Sequence, residues 1–451
     1  MGSERSFRAA SAADKASLPE MNLRIMPCVA LLLLAMACQT HAGPAEDYRW
    51  LQNYTHSILT ACRRNASDGT TIYGPNGCAG HGSCYAGVWM RDSYYGFSSG
   101  WQQIANASEA LGSAAYILRR SQASTNYLPQ SVDPSGHAAY GQHHAPTTLD
   151  AGAFAGLMFA FFVTGEGSKA PGGGLAFLKK FGSAVALAME STPTRRGLPW
   201  SDPALPCVGF GFTDTIIKTG NELYSSILLW DASRRLAAAF DIAGNASMSG
   251  RFHLKASHIE ANFSSTFWSE EHGMFMATNG LESDRIDVWG SAYAALVGLA
   301  LPEQARRVAN FLATNKSQVF FAGQTRMLPA PQVWSGEFPR EPGPGRYQDG
   351  GYWGSECYGV PSRASCCSLL KAACPNLVLA APSHHTLVLL GRHGYRKLAC
   401  ELLGEAVGNY RSHGAYEWIQ LGAESGSGAP LYVATAANTL KAAEELACWA
   451  E

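Results

Sequence analysis

The sequence predicts an all-α, single-domain fold in which antiparallel helical hairpins stack side by side and six of them close into an (α/α)6 barrel, or six-hairpin toroid. Three observations predict this fold. Apolar residues recur at helical spacing through most of the chain, as at Leu149, Ala153, Leu157 and Ala160. Convincing alternating strands are scarce. Helical segments are joined alternately by short and long loops, which is typical of helices packed in pairs.

About eleven or twelve segments carry the helical spacing, and they are joined by long connections rich in Gly and Pro. The segments are 47–64, 93–119, 147–164, 174–190, 220–240, 246–266, 289–300, 303–314, 383–391, 394–410 and 430–448, and the long connections are 64–88, 125–146, 191–213 and 320–382. Long loops in a compact domain usually carry function. We therefore expect a deep pocket at the loop-bearing end of the ring.

The composition excludes some classes of partner. The chain has 451 residues, a net charge of −1 and 47% hydrophobic residues, enough apolar material for one large core. A near-neutral chain lacks the basic face that nucleic acid or an anionic membrane requires. Its 11 Trp and 18 Tyr provide stacking surfaces as well as core. We therefore expect no nucleic-acid partner, and we expect the chain to be a monomer.

Residues 21–42 have the features of a signal peptide. Arg24 precedes an apolar run from Pro27 to Ala37 that is too short to span a bilayer, and small residues follow near Ala42. We therefore predict that residues 1–42 are an N-terminal extension plus a signal peptide and that 43–451 are the mature domain. The protein would be secreted or lie in the lumen of the secretory pathway, with no membrane partner after cleavage. An uncleaved signal anchor is the alternative.

The N-glycosylation sequons and the cysteines agree with passage through the secretory pathway. The six sequons lie at Asn53, Asn65, Asn106, Asn245, Asn262 and Asn315. In an oxidising compartment the ten cysteines after the signal are disulfide candidates first. They are Cys62, Cys78, Cys84, Cys207, Cys357, Cys366, Cys367, Cys374, Cys400 and Cys448. The sequence contains no zinc-type Cys and His spacing, P-loop, dinucleotide fingerprint or serine elbow, so we predict no cofactor and no metal.

The first two of four loop-to-helix junctions carry polar and aromatic residues. Trp89 offers a stacking face, and Arg91 and Asp92 offer a donor and an acceptor for sugar hydroxyls. The alternative is that Asp92 is a charge in the first helical turn and Arg91 its surface partner. Asp150 ends the second junction, where a capping role is favoured over a role as a sugar ligand.

The third junction contains Asp214, on a Gly-rich loop between aromatic and apolar neighbours. Such surroundings desolvate a carboxyl and raise its pKa, as a general acid requires. The alternative is a loop aspartate in an Asx-turn. Lys218, Asn221 and Glu222 follow and are candidates for binding hydroxyls at the same rim.

The fourth junction places Glu417 between Tyr416 and Trp418, ahead of a Gly-rich stretch and the last helix. Two flanking aromatic rings suit sugar stacking and a site that holds a water molecule. An ordinary surface glutamate is the alternative.

Three further segments carry less weight. Trp289 follows Asp287 at a helix start, where a cap is the favoured role of the aspartate. Tyr352 and Trp353 close an aromatic, Gly-rich stretch suited to sugar contact. The adjacent histidines at 384–385 tend to diverge, which disfavours a shared metal.

Cleavage of a glycosidic bond needs two carboxyls, one protonated toward the leaving oxygen and one ionised to activate water or to attack. Asp214 and Glu417 are far apart in the sequence. They meet only if the chain closes on itself, as a ring of hairpins does.

At these junctions the sequence resembles the six-hairpin glycosidase superfamily, which includes glucoamylases, trehalases, processing α-glucosidases, glycogen-debranching glucosidases and exo-α-mannosidases. Trp-x-Arg-Asp at 89–92 is similar to the segment that binds the terminal sugar. Asp214 with Lys-x-Gly-Asn-Glu at 218–222 is similar to the general-acid segment of the debranching and processing glucosidases. The stretch 347–353 resembles a "QNGGYW" segment, with Asp349 in place of Asn. Tyr-Glu-Trp at 416–418 resembles the general-base segment.

The resemblance covers nearly all of the mature chain in order and spacing. It implies the (α/α)6 barrel, inversion of configuration, Asp214 as general acid and Glu417 as general base. Inverting enzymes hold their carboxyls roughly 6.5–9.5 Å apart. The sequence departs from the pattern at 354–380, a Cys-rich insertion or an error in gene prediction.

The sequence thus predicts a secreted, exo-acting, inverting glycoside hydrolase that removes terminal α-glucosidic or α-mannosidic sugars from oligo- or polysaccharides. Two alternatives stay open. One is a sugar epimerase or uronyl-sugar hydrolase on the same barrel, which would favour histidines in the pocket. The other is a non-catalytic carbohydrate-binding relative that has lost one carboxyl.

Overall fold

Helices dominate the computed structural model of the chain, which describes residues 44–77, 85–141, 147–206, 216–332, 334, 378–379, 383–419 and 426–449. Twelve helices of ten or more residues lie in these ranges. They are α1 (Pro44–Ala61), α2 (Met90–Gly100), α3 (Ala107–Leu118), α4 (Ala151–Val163), α5 (Leu175–Glu190), α6 (Leu223–Ile242), α7 (Ala246–Phe267), α8 (Val288–Val297), α9 (Pro302–Thr314), α10 (Ser383–Arg392), α11 (Arg396–His413) and α12 (Val433–Leu446).

The even-numbered helices form an inner ring. Each contacts the next, and α12 contacts α2, so the described helices return on themselves; the odd-numbered helices pack outside. Composition explains the two layers. The inner helix α4 is apolar on every side and almost wholly buried, whereas the outer helix α9 buries one stripe that includes Ala305, Val308 and Leu312. The predicted all-α, (α/α)6 fold is confirmed.

One predicted helix, 93–119, is wrong in its extent, because the structure has two helices there. α2 ends at Gly100, a single turn spans Trp101–Gln103, and α3 starts after Asn106. The Asn106 side chain accepts hydrogen bonds from the backbone N–H groups of Ser108 and Glu109, which caps the new helix. The chain thus reverses from the inner to the outer layer within a few residues.

Short strands lie only in the connections that lead from an outer to an inner helix, within the part of the chain described. They form six small sheets: β1 (Arg63–Asn65) with β2 (Thr71–Tyr73); β3 (Val88–Trp89), β4 (Ser131–Val132) and β5 (Ala138–Ala139); β6 (Thr194–Arg195), β7 (Leu198–Ser201) and β8 (Gly220–Asn221); β9 (Trp268–Ser269) with β10 (Met274–Phe275); β11 (Phe320–Phe321) with β12 (Gln324–Thr325); and β13 (Val378–Leu379), β14 (Tyr416–Ile419) and β15 (Gly426–Pro430). The pairing is antiparallel throughout.

The long connections share one end of the ring. Because successive helices run in opposite directions, every connection from an outer to an inner helix emerges at the end where the inner helices begin. Helix N-termini carry partial positive charge and unpaired N–H groups. This loop-bearing end is therefore suited to polar ligands, and the deep pocket expected there stays a prediction.

Covalent and membrane features can be stated for the described residues only. Cys400 of α11 forms a disulfide with Cys448, just after α12, whereas Cys62 is a buried thiol. Among the described helices, none combines the length and the apolar character needed to cross a membrane. The predicted signal peptide lies outside the described residues, as does the Cys-rich stretch apart from the backbone of β13.

Candidate active site

Glu417 is held in the middle of a small sheet at the loop-bearing end. It lies on β14, between β13 and β15, and its residue is only 4% exposed. The phenol of Tyr85 donates hydrogen bonds to Glu417 Oε2 at 3.1 Å and Oε1 at 3.3 Å. The backbone N–H of Ala429 on β15 lies 3.4 Å from Oε2. The alternative of an ordinary surface glutamate is therefore wrong.

Tyr432 links this carboxyl to the first junction. Its phenol donates a hydrogen bond to Asp92 Oδ1. Burial, followed by the charges of Asp92 and Glu417, holds the pKa of Tyr432 well above its ordinary value. The phenol therefore stays protonated and serves as a donor beside two acidic side chains. Asp92 is buried in the first turn of α2 rather than exposed on the surface.

Trp89, Arg91 and Asp150 continue the same group of side chains. The guanidinium of Arg91 lies 5.2 Å from the centre of the Trp89 ring, and its Nη1 lies 3.9 Å from Asp150 Oδ2. The rings of Trp89 and Tyr85 meet edge to face with their centres 5.7 Å apart. Asp150 is buried and its side chain makes no capping hydrogen bond, so the favoured capping role is wrong.

These residues define what we call the Glu417 cluster: Tyr85, Trp89, Arg91, Asp92, Asp150, Glu417 and Tyr432. Five of them come from the first, second and fourth predicted junctions, and Tyr85 and Tyr432 join them from the connections that lead to α2 and α12. The cluster offers acceptors, donors and an aromatic face, which is the set of groups that recognises sugar hydroxyls and a C–H face.

A second group, the Lys218 cluster, contains Lys218, Glu222, Asp287 and Trp334. Lys218 Nζ lies 2.8 Å from Glu222 Oε1 and 5.2 Å from the centre of the Trp334 ring. Glu222 also accepts the N–H of Ser225 at 2.6 Å and so caps α6. Both charges of the pair are buried, which gives a rigid, oriented ion pair at the start of α6.

Asp287 caps α8 by accepting the backbone N–H of Gly290 at 2.7 Å, as the sequence predicts. Burial raises the pKa of Asp287 to about 6, while the nearby Lys218 opposes this change. Asp287 therefore titrates close to physiological pH.

Aromatic residues of the inner ring lie next to the Lys218 cluster. The hydroxyls of Tyr95 and Tyr224 are 2.9 Å apart. Burial raises the pKa of Tyr224, the hydrogen bond with Tyr95 opposes this change, and the charges of Asp287 and Glu222 add to it. His385 stacks on Tyr293 with ring centres 4.2 Å apart. Burial lowers the pKa of His385 and brings that of its neighbour His384 to about 3, so both imidazoles are neutral.

The other predicted site residues have different surroundings. Trp289 is 1% exposed, and its Nε1–H donates to the carbonyl of Thr325 at 3.1 Å. The Asn221 amide donates to the carbonyl of Leu198 at 3.0 Å and joins β8 to β7. Tyr416 is half-buried beside Glu417. Whether any of these contacts a sugar stays a prediction.

Several predicted residues lie outside the described residues. They are Asp214, Tyr352 and Trp353, together with the side chain of Trp418, whose backbone belongs to β14. The distance between Asp214 and Glu417 is therefore untested, and the assignment of the general acid stays a prediction.

Tyr85, Tyr432 and Trp334 were not predicted. Tyr432 directly precedes the last inner helix, as Trp89 precedes α2 and Glu222 precedes α6. A position directly before an inner helix is therefore a sequence signal that could have identified Tyr432 as a site residue. Tyr85 and Trp334 have no comparable position, because each reaches its cluster through the folding of a long connection.

Solved structures provide the comparison with known proteins, since no protein-family model and no curated protein matches this chain. A structure described as a wild-type glycosidase has 13% identity and a TM-score of 0.58, over 90% of this chain and 98% of that one. A GH63 mannosylglycerate hydrolase from Thermus thermophilus in complex with glucose has 12% identity and a TM-score of 0.52, over 87% and 99%. An uncharacterized conserved protein from the same organism has 11% identity and a TM-score of 0.56, over 87% and 99%. The chain thus shares the helical toroid fold of these three structures, two of which are described as glycoside-cleaving enzymes, along most of its length.

Proposed function

We propose that this protein is a glycoside hydrolase, exo-acting and inverting, with Glu417 as the general base and Asp214 as the general acid. The substrate would be a terminal α-glucosidic or α-mannosidic sugar of an oligo- or polysaccharide, as in the debranching and processing glucosidase or exo-α-mannosidase branches. The single observation that carries the proposal is the setting of Glu417, a buried carboxyl that accepts hydrogen bonds from the Tyr85 phenol and the Ala429 N–H at the loop-bearing end of a glycosidase-like toroid.

The contacts of Glu417 suit a base. Hydrogen bonds from the Tyr85 phenol and the Ala429 N–H stabilise the ionised form of the carboxylate and fix its orientation. An ionised carboxylate accepts a proton from the attacking water, while a second, protonated carboxyl protonates the leaving oxygen. The rest of the Glu417 cluster supplies sugar contacts: the Trp89 face, the Asp92 acceptor and the Arg91 donors.

The comparisons support the chemistry in general terms. Two of the similar structures are a glycosidase and a mannosylglycerate hydrolase that contains glucose, so the toroid carries glycoside hydrolysis in those proteins. For this chain, the order of the four junctions and the arrangement of the Glu417 cluster make the same reaction class the best-supported function.

Secretion is part of the proposal and rests on the signal-like segment 21–42 together with the sequons. N-glycosylation needs accessible asparagines. The sequon asparagines at 53, 65, 106 and 245 are exposed, and those at 262 and 315 are half-buried. Mass spectrometry of the protein from a eukaryotic secretory host, before and after deglycosylation, would test the route.

The experiment for the function is a screen of aryl α-glycosides and unmodified oligosaccharides with wild type, Glu417→Gln and Asp214→Asn. NMR of the first-formed anomer reports inversion or retention. Both variants should lose turnover of oligosaccharides, and Asp214→Asn should keep more activity on aryl glycosides with good leaving groups, which need little protonation. Glu303→Gln, a change in an exposed ion pair, is the matched control. Full activity of Glu417→Gln would refute the assignment, and a wild type that binds sugars without cleaving any would favour a binding protein.

A further inference from the structure

Arg326 is a buried cation that lacks a counter-ion in the described part of the chain. It directly follows β12, and its residue is 5% exposed. Its Nε and Nη1 atoms are buried and have no hydrogen-bond partner. Burial lowers the pKa of the guanidinium to about 10, so Arg326 keeps its charge at neutral pH.

The backbone on both sides of Arg326 is fixed against the start of an inner helix. The carbonyl of Thr325 accepts Trp289 Nε1–H at 3.1 Å, and the carbonyl of Met327 accepts the N–H of Val288 at 2.9 Å. Val288 is the first residue of α8 and follows Asp287 of the Lys218 cluster. Arg326 thus lies at the loop-bearing end of the ring, where the Glu417 cluster and the Lys218 cluster also lie.

The other buried cations at this end have acidic partners. Lys218 is 2.8 Å from Glu222, and Arg91 is 3.9 Å from Asp150. A buried charge without a partner is strongly unfavourable, because desolvation is not offset by an opposite charge. A guanidinium presents parallel N–H groups that match the two oxygens of a carboxylate. A carboxylate from outside the chain that binds either the Nε–Nη2 edge or the Nη1–Nη2 edge of this guanidinium would give a partner to one of its two buried nitrogens.

We propose that Arg326 binds a carboxylate carried by the substrate, so that the preferred substrate is an acidic saccharide, with the acid on the terminal sugar or on the group that leaves. This inference rests on the proposed glycoside hydrolase function and narrows its substrate class. Neutral glycosides would be the poorer substrates.

The test compares matched acidic and neutral substrates with wild type, Arg326→Gln and Arg306→Gln, in which a guanidinium of an exposed ion pair is removed. One pair is the α-glucuronide and the α-glucoside of 4-nitrophenol. The other is the 4-carboxyphenyl and the 4-carbamoylphenyl α-glucoside, and both pairs are repeated with mannose as the parent sugar. In wild type kcat/KM should favour the acidic member of at least one pair. Arg326→Gln should reduce that acid-to-neutral ratio at least tenfold, since it removes the charged N–H donors that favour a carboxylate over its neutral counterpart, while Arg306→Gln should not change it.

A ratio that Arg326→Gln leaves unchanged in all pairs would overturn the proposal while leaving the hydrolase function intact. If wild type cleaves nothing, the hydrolase function fails, and calorimetry with glucuronate, glucose and inorganic phosphate then tests the anion site alone. Binding of glucuronate in preference to glucose, if it is lost in Arg326→Gln, supports the proposed carboxylate site. Binding of phosphate but not glucuronate shows a free-phosphate site and overturns the proposed carboxylate site. Binding of neither anion overturns it as well.

Stability without ligand provides a second measurement. Arg326→Met should leave the melting temperature unchanged or raise it, because the uncompensated charge is removed. A fall of several degrees would mean that a carboxylate of this chain pairs with Arg326, and the segment 335–350 contains Glu337, Glu341 and Asp349. That result would overturn the proposal.

Discussion

The phenol of Tyr85 donates to both carboxylate oxygens of Glu417, across 332 residues of sequence. The contact joins the connection before the first inner helix to the connection before the last. Closure of the helical ring is what brings the two segments together. A general base requires this kind of support, because its carboxylate must be ionised and correctly oriented before water arrives.

Tyr85→Phe removes that donor and keeps the ring that meets Trp89. We expect kcat/KM to fall about tenfold, from loss of one hydrogen bond to a charged group worth roughly 1.5 kcal/mol. The acidic limb of the pH–rate profile should move to higher pH, because the ionised carboxylate loses a stabilising donor. Tyr140→Phe is the control, since the Tyr140 hydroxyl donates to the carbonyl of Arg120 instead. An unshifted acidic limb in Tyr85→Phe would show that the contact does not tune the base.

Glu222→Ala breaks the buried pair with Lys218 and removes the cap on α6. Loss of one partner of a buried ion pair typically costs about 3–5 kcal/mol, because a charge is left buried without its partner. We expect a loss of that order in the free energy of unfolding, measured by urea denaturation. Glu303→Ala, in the exposed pair with Arg306, should change stability little. Equal effects of the two substitutions would mean that Lys218 finds compensation elsewhere.

How far the sequence predicts this protein depends on whether a feature is local. The apolar run of α4 and the stripe of α9 predict their own layers, and Asp287 is recognisable as a cap from its position before a helix. Asp150 stands at a similar place, but its carboxylate faces Arg91 from another hairpin, which no local pattern contains. Trp334 reaches Lys218 in the same way. Local propensity thus fixes the helices, whereas ring closure determines which loop residues meet.

The disulfide between Cys400 and Cys448 ties α11 to the chain just beyond α12. With a sequence separation of 48 residues, chain-entropy arguments give a stabilisation of about 4 kcal/mol, by restricting the unfolded chain. Cys400→Ser with Cys448→Ser should lower the melting temperature by several degrees. Wild type in reductant, in which every disulfide is reduced, is the parallel sample and should melt no higher than the double variant. A melting temperature that neither treatment changes would indicate that the bridge does not form in solution.

Asp287 should make stability depend on pH below neutrality. Burial raises the pKa of Asp287 from 3.8 to about 6, so between these values the folded state holds a proton that the unfolded state has released. The stabilisation is fully present below about pH 4 and is lost as pH rises through about 6. Two pKa units correspond to about 3 kcal/mol. Asp287→Asn, which preserves an acceptor for the Gly290 N–H, should match wild type near pH 4 and exceed it by up to that amount at pH 7. Urea denaturation across this range measures the difference, and Asp284→Asn on the exposed surface is the control. A difference between Asp287→Asn and wild type that is the same at both pH values would contradict the raised pKa.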